Sequence, residues 1–291
     1  MSLVVLGAVL WDVFDDRKLI GGAPFNVAAH ATRLGIQTAF ISAVGNDALG
    51  REALKRAEEL GLATRYIRTV EGVPTGTVRV FLQNGQPDFE IVRPAAYDCP
   101  ELTEGQIVEI SDSGPEWLYF GTLEQMAPTV RRLLHRLLDA LPVARRFYDV
   151  NLRKESFSAE IIEELLGLTS VLKLNEDEAG VIAGMLKMSD GPGEGFCKEI
   201  SAGFGLECVC ITRGENGCAI WREGDYVESA GCPAELADAV GAGDAFSAAL
   251  IHGLSMQWDL ERVAAFANRL GALVASRAGA VPDWSIDEIT V

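Results

Sequence analysis

Basic charge is scarce in this chain. Twenty-five lysines and arginines face 42 aspartates and glutamates, a formal net charge of −17. A nucleic-acid binder presents a basic stripe to phosphates, and none is visible here. The nearest approaches, Arg131-Arg132 and Arg145-Arg146, are isolated pairs. An acidic protein can still hold a nucleotide, provided the phosphates meet helix N-termini and a metal ion.

Metal-binding and redox signatures are missing as well. The six cysteines (Cys99, Cys197, Cys208, Cys210, Cys218 and Cys232) form no C-x-x-C pair and match no zinc-finger spacing. Cys208 and Cys210 alternate in the apolar run ECVCIT, which predicts two buried, reduced thiols on one side of a strand. The three histidines, His30, His135 and His252, fall inside helical patterns without clustering and read as packing or surface residues. No apolar run is long enough for a membrane span, and MSLVVLGAVLWD lacks a basic start, so a cytoplasmic protein is expected. G-x-x-x-x-G-K-[ST], H-E-x-x-H and G-x-S-x-G are all absent. Gly241-Ala242-Gly243 cannot complete G-x-G-x-x-G because position 246 is Phe, and it lies far from the first strand.

What remains describes an ordinary globular α/β chain. Of 291 residues, 48% are hydrophobic and 23% charged, which suits a large core and either one large α/β domain or one domain with an inserted sub-domain. LVVLGAVL opens as a buried strand. Residues 24–34 then read as a helix, with Pro24 in its first turn and Gly35 past its end. TAFISAV is a second strand, and Asp47 can cap the helix that follows, closed by Gly61. EWLYFG, RRFYDVN, SVLKLN, CVCIT and CAIW continue as strands. Helices are expected over 129–141, 245–256 and 260–276. Strands alternating with helices predict a parallel sheet covered by helices. Residues 75–92 break the rhythm: two alternating runs flank Asn84-Gly85, the strongest short hairpin signal, and an inserted hairpin is a candidate lid.

Ligands of open α/β sheets bind beyond the carboxyl ends of the strands. Asp12, Asn151 and Arg153, Asn175 and Glu178, and Thr212 to Gly217 all follow strands and would gather along one edge. Two glycine-rich runs lead directly into helices: Gly21-Gly22-Ala23-Pro24-Phe25-Asn26 and Asp238-Ala239-Val240-Gly241-Ala242-Gly243-Asp244. Such an entry leaves amide hydrogens aimed at one point, with the helix dipole behind them. A carboxylate there usually caps the helix. Beside a phosphate it would be repelled, unless it orients a hydroxyl and accepts its proton.

These residues resemble the ribokinase-like, or PfkB, family of carbohydrate kinases. GGAPFNVAAHATRLG is similar to its first signature and DAVGAGD to its second, and VGNDALG, DVNLR, NEDE and TRGENG extend the likeness along the chain. VLWDVF, GGAPFN, PTGTVRVFLQNG and RPAAYD are most similar to fructokinases. The resemblance implies a ribokinase-like three-layer α/β fold, with a central mainly parallel sheet flanked by helices. It implies one kinase domain over 1–291, with a small β-sheet lid from segments at about 12–20 and 73–97.

It further implies Asp244 as the base and the amides of Gly241, Ala242 and Gly243 as an anion hole, with Arg153 reaching the transferring phosphate. Asp12, Gly22 and Asn26 would bind the sugar. Asn175, Thr212, Gly214, Gly217 and Asn268 would line the nucleotide. Glu178 would help place Mg²⁺ through water, and Asp238 and Val240 would hold a monovalent cation such as K⁺. Ala239 departs from the family's Thr or Ser, which puts that cation site in question. ATP and a monosaccharide, fructose first, are the implied ligands, and lids of this family often pair in homodimers. Alternatives are a 2-keto-3-deoxygluconate or nucleoside kinase, or a non-catalytic sugar- or nucleotide-binding regulator on the same fold. A nicotinamide dehydrogenase is disfavoured by the missing fingerprint.

Overall fold

The computed structural model describes residues 2–83, 86–153 and 156–289. In chain order its strands are β1 (Ser2–Leu6), β2 (Leu10–Val13), β3 (Lys18–Gly21), β4 (Gln37–Gly45), β5 (Ile67–Val70), β6 (Gly76–Gln83), β7 (Gln86–Val92), β8 (Trp117–Gly121), β9 (Arg145–Asp149), β10 (Val171–Asn175), β11 (Cys208–Thr212), β12 (Cys218–Arg222) and β13 (Asp225–Ser229). The helices are α1 (Ala23–Arg33), α2 (Ala48–Glu59), α3 (Glu104–Asp112), α4 (Pro128–Ala140), α5 (Ala159–Gly167), α6 (Glu176–Leu186), α7 (Glu194–Phe204), α8 (Ala242–Ser255) and α9 (Leu260–Ala275). None of the described helices is long and apolar enough to cross a membrane.

The large sheet runs β13-β12-β11-β10-β9-β8-β1-β4-β5. It is parallel except where β12 and β13 turn back antiparallel. Its inner strands bury both faces, as a helix-covered parallel sheet must. Leu3, Val5 and Tyr119 pack on one face with α1, α8 and α9. Val4, Leu6 and Phe120 pack on the other with α3 to α7. Three layers result. Cys208 and Cys210 lie together on the first face, buried and unpaired by disulfide.

A second sheet of four strands, β3-β2-β6-β7, stands apart. Strands β6 and β7 pair antiparallel from Thr77↔Val92 to Gln83↔Gln86, as the two alternating runs predict. Asn84-Gly85, the expected turn, lies outside the described residues. Strands β2 and β3 also pair antiparallel, and β2 joins β6 in parallel.

Two sequence expectations need correction. LVVLGAVL is not one strand. It breaks after Leu6, and its two ends enter different sheets. Gly7 at the break packs against Pro24, whose Cγ would stand 2.2 Å from a β-carbon there. The second correction concerns α8, which begins at Ala242 rather than at 245. Gly241 is its N-cap, so Asp244 stands inside the first turn instead of ahead of it.

Other helix entries follow the sequence closely. Pro24 occupies the first turn of α1. Asp47 caps α2, its Oδ1 accepting from Gly50 N at 2.7 Å, and the same carboxylate accepts from Thr75 N and Thr75 Oγ1. That ties the start of α2 to the residue just before β6.

Candidate active site

Both glycine-rich turns are shaped by backbone contacts that exclude a side chain. Gly22 has φ +106° and would place a β-carbon 2.5 Å from Ala8 O. Gly241 has φ +82° and would place one 2.3 Å from Ala280 O. Only glycine adopts these angles without strain and tolerates these approaches. Each turn then starts a helix, α1 and α8, and the two helices pack together in one core. From the first turn of α1, Asn26 Nδ2 donates to Asp244 Oδ2 at 2.7 Å. Ala242 N, at the start of α8, is 3.4 Å from Ala239 O, a long bond. The first-turn amides of α8 therefore surround Asp244 with positive potential and little intrahelical pairing.

Burial pushes the Asp244 carboxyl up to about 6. The Asn26 hydrogen bond opposes that rise, the negative charge of Asp149 adds to it, and Lys173 and Arg153 counter it. Burial likewise lifts Asp12 to about 6, against the charge of Arg153 and with that of Asp238. Arg153 thus acts on both carboxylates, and Asp12, Asp238, Arg153 and Asp244 share one neighbourhood. Asp12 projects from β2 over Gly21, where its Oδ2 would stand 2.9 Å from a β-carbon.

One cation in this neighbourhood escaped the sequence reading. Lys173 on β10 is 7% exposed. Its Nζ lies 3.0 and 3.3 Å from the two carboxylate oxygens of Asp149. Asp149 also accepts from Ser247 Oγ at 2.8 Å and Tyr119 OH at 3.2 Å. Burial works against the ammonium, but the charges of Asp149, Glu178 and Asp244 hold its pKa above the ordinary lysine value. The same Nζ would be 3.4 Å from a β-carbon on Gly243. A positive charge therefore sits directly beneath the first turn of α8. The available signal was a lysine inside the apolar strand VLKLN, since a charge on an interior strand requires a buried partner.

Asn175 and Glu178 form a capping box at the start of α6. Asn175 Oδ1 accepts from Glu178 N at 2.8 Å, and Glu178 Oε2 accepts from Asn175 N at 2.9 Å. Glu178 Oε1 accepts from Leu152 N at 2.8 Å, which ties the loop carrying Arg153 to α6. Each oxygen of Glu178 keeps a lone pair for a further donor such as water. No group of three or more His, Cys, Asp or Glu among the described residues is arranged to hold a metal directly. These residues suit an ion carried in with phosphates and reached through water.

The residues expected at the nucleotide lie farther along the same edge, several with structural work of their own. Thr212 is paired beside Asn175 at the ends of β11 and β10. Gly214 has φ +56° with open space around it. Gly217, at φ +90°, instead packs its backbone on Ser229 and Gly231. Asn268 on α9 donates to Ser229 Oγ at 3.2 Å and Ala230 O at 3.1 Å, holding the exit of β13. Asp238 accepts from Val240 N at 3.0 Å and Gly279 N at 3.2 Å. Val240 is half-exposed beside it.

The model of the pfkB family carbohydrate kinases matches residues 6–287. The chain is 30% identical to a fructokinase of Escherichia coli, covering 95% of this chain and 94% of that protein. It is 29% identical to a fructokinase of Klebsiella pneumoniae, at 95% and 94% coverage. In structure it is similar to an uncharacterized sugar kinase of Pyrococcus horikoshii in complex with ATP (TM-score 0.84, 26% identity, 98% and 96% coverage). It also shares the fold of a fructokinase of Xylella fastidiosa solved with ATP (TM-score 0.85, 20% identity, 96% and 94% coverage).

Proposed function

We propose, from the premise that the chain belongs to the pfkB family of carbohydrate kinases and is an ATP-dependent sugar kinase, that its acceptor is fructose and that Asp244 is the base. The observation that carries the reading is the placement of Asp244. A carboxylate pushed up to about 6 stands in a helix first turn, bound to Asn26 and above the ammonium of Lys173.

In this reading a sugar hydroxyl lies between Asp12, Asn26 and Asp244, next to the Gly22 turn. Asn26 Oδ1, buried and without a hydrogen-bond donor among the described residues, is free to accept from a sugar hydroxyl. The reacting hydroxyl gives its proton to Asp244 as its oxygen bonds the γ-phosphorus of ATP. The bond from that phosphorus to the β,γ-bridging oxygen breaks, and ADP leaves. The amides of Gly241, Ala242 and Gly243, the dipole of α8, Lys173 and Arg153 receive the charge on the phosphoryl oxygens.

Glu178 would reach, through water, a Mg²⁺ carried with ATP, which would supply neutralisation of the phosphate oxygens. The nucleotide would extend past Asn175, Thr212, Gly214 and Gly217 toward Asn268. For a monovalent cation such as K⁺, Asp238 and Val240 would supply the site. Both Asp238 oxygens accept amide hydrogens but keep a lone pair each, and Val240 would contribute its carbonyl.

The small sheet serves as the lid of a single kinase domain, closing over the sugar and excluding water that would otherwise take the phosphoryl group. Phe89 on its outer strand β7 is 53% exposed, a surface suited to pairing with a second lid in a homodimer. A demand for ATP suits the cytoplasm as its place of work. The specific choice of fructose rests on the fructokinase relatives.

ADP release measured against a panel of sugars, fructose first, tests the reading. Highest kcat/KM with fructose supports it. Preference for 2-keto-3-deoxygluconate or a nucleoside replaces the acceptor. Tight sugar binding without any turnover replaces the enzyme with a regulator.

A further inference from the structure

Helix α1 makes two contacts with the reacting end of the molecule, one turn apart. Asn26 reaches Asp244. Four residues on, His30 meets the segment behind Gly241. His30 is fully buried. Its Nδ1 accepts from Trp284 Nε1 at 3.1 Å, and an indole nitrogen only donates. The ring hydrogen is therefore on Nε2, which donates to Ala280 O at 3.0 Å. Burial holds the ring neutral, bringing its pKa down to about 4, with the charge of Arg33 acting in the same direction.

Ala280 belongs to a strap that follows α9 and runs between α1 and the 238–241 loop. Gly279 N donates to Asp238 Oδ2. Ala280 O and Cα would stand 2.3 and 2.6 Å from a β-carbon on Gly241, so strap and loop touch through their backbones. The far end of the strap is held separately, by Arg33 on Pro282 O and Arg277 on Asp283 O. Releasing His30 would loosen the middle of the strap and free Trp284 Nε1, while the two arginines keep hold of its end.

We propose that His30 is a positioning residue for phosphoryl transfer: its Nε2–H fixes Ala280 against Gly241 and so aims the amides at the start of α8. His30 touches neither substrate. Through Asn26 and His30, one rigid helix sets the base and the amide cluster in common register. Displacements near 1 Å at such a site cost about 10²-fold in rate. The inference rests on the kinase reading of the site.

The test compares His30→Phe, which keeps the ring volume and removes both nitrogens, with His30→Gln, which keeps a donor and an acceptor. Both are assayed with the sugar the wild type phosphorylates best, alongside melting temperature. His30→Phe is expected to lower kcat by about 10–100-fold, with sugar KM changed less than about twofold. His30→Gln should recover kcat to within about fivefold of wild type while both variants melt earlier. A kcat for His30→Phe within about twofold of wild type overturns the proposal, as does a kcat that merely follows melting temperature across the pair. If His30→Phe does not fold, Trp284→Phe takes its place: it keeps His30 but no longer fixes its tautomer. Its kcat should fall about threefold or more at unchanged KM, and an unchanged kcat overturns the proposal. A wild type inactive on every sugar would instead remove the kinase reading.

Discussion

Asn26 Nδ2 donates to Asp244 Oδ2 at 2.7 Å, joining two glycine-led helix starts that lie 218 residues apart in sequence. The bond does more than connect them. Burial drives the Asp244 carboxyl toward its protonated form, and the Asn26 amide is the largest influence in the other direction. A residue expected to touch the sugar therefore also keeps the base ionised.

The pH dependence of turnover follows. A base must be unprotonated to accept a proton, and Asp244 is pushed up to about 6. Turnover should therefore fall as the pH drops through about 6. Removing the amide in Asn26→Ala takes away a stabiliser of the charged form, so the acidic limb should move up by about one pH unit. Rate–pH profiles of the two enzymes check this. An unmoved limb would show that Asn26 does not govern the base.

Asp244→Asn should separate activity from stability. Loss of the base should lower kcat by about 10²–10⁴. The charge is also a burden on the fold. The folded-state pKa is raised from 3.8 to about 6, so the unfolded chain ionises first as the pH climbs between those values. Stability is lost over that window, and the cost persists at pH 7.5. Partial exposure of Asp244 screens part of it, leaving a gain of about 1–2 kcal/mol when the charge is removed. The donor of Asn26 is not stranded, because the oxygen of the new side-chain amide can still accept from it. Melting at pH 7.5 should show a more stable and nearly inactive protein.

Lys173→Met should do the opposite. It would leave Asp149, buried at 0% exposure, without its counter-charge, and breaking a buried pair costs about 3–5 kcal/mol. Neutralising the partner as well, in Lys173→Met with Asp149→Asn, should restore much of that stability. It should not restore turnover, because the positive charge beneath Gly243 would still be missing. Denaturant unfolding together with kcat distinguishes the outcomes. Full recovery of kcat in the double variant would make the pair purely structural.

Legibility in the sequence followed the range of the physics. The cap at Asp47, the proline start of α1 and the two glycine turns are local, set by a few adjacent residues, and they read directly. The break of LVVLGAVL at Gly7 could not be read that way. The run is apolar on either side, and the reason for the glycine is Pro24, which reaches it only after the chain has passed through β2 and β3. Lys173 was overlooked for the same kind of reason. Its partner Asp149 lies on the neighbouring strand β9, and its relation to Gly243 exists only once α8 covers the sheet. Gly217 and Asn268 illustrate the converse. Both fit a nucleotide-side pattern, yet each also has a packing duty at Ser229 that no spacing discloses.

Asp12 offers a test of the sugar side that leaves the chemistry of Asp244 in place. It projects from β2, a strand of the small sheet, and feels Arg153 and Asp238 across the opening. A carboxylate there can accept hydrogen bonds from sugar hydroxyls, and the proposed nucleotide path past Asn175 and Thr212 does not involve it. Asp12→Ala should therefore raise the sugar KM by about 10-fold or more, with the KM for ATP changed less than about threefold. Because the Asp12 carboxyl is pushed up to about 6, the wild-type sugar KM should itself rise as the pH falls through that value, and the variant should lose this dependence. Steady-state kinetics with each substrate varied at pH 5.5 and about 7.5 reads both effects. Equal changes in the two KM values would remove Asp12 from the sugar site.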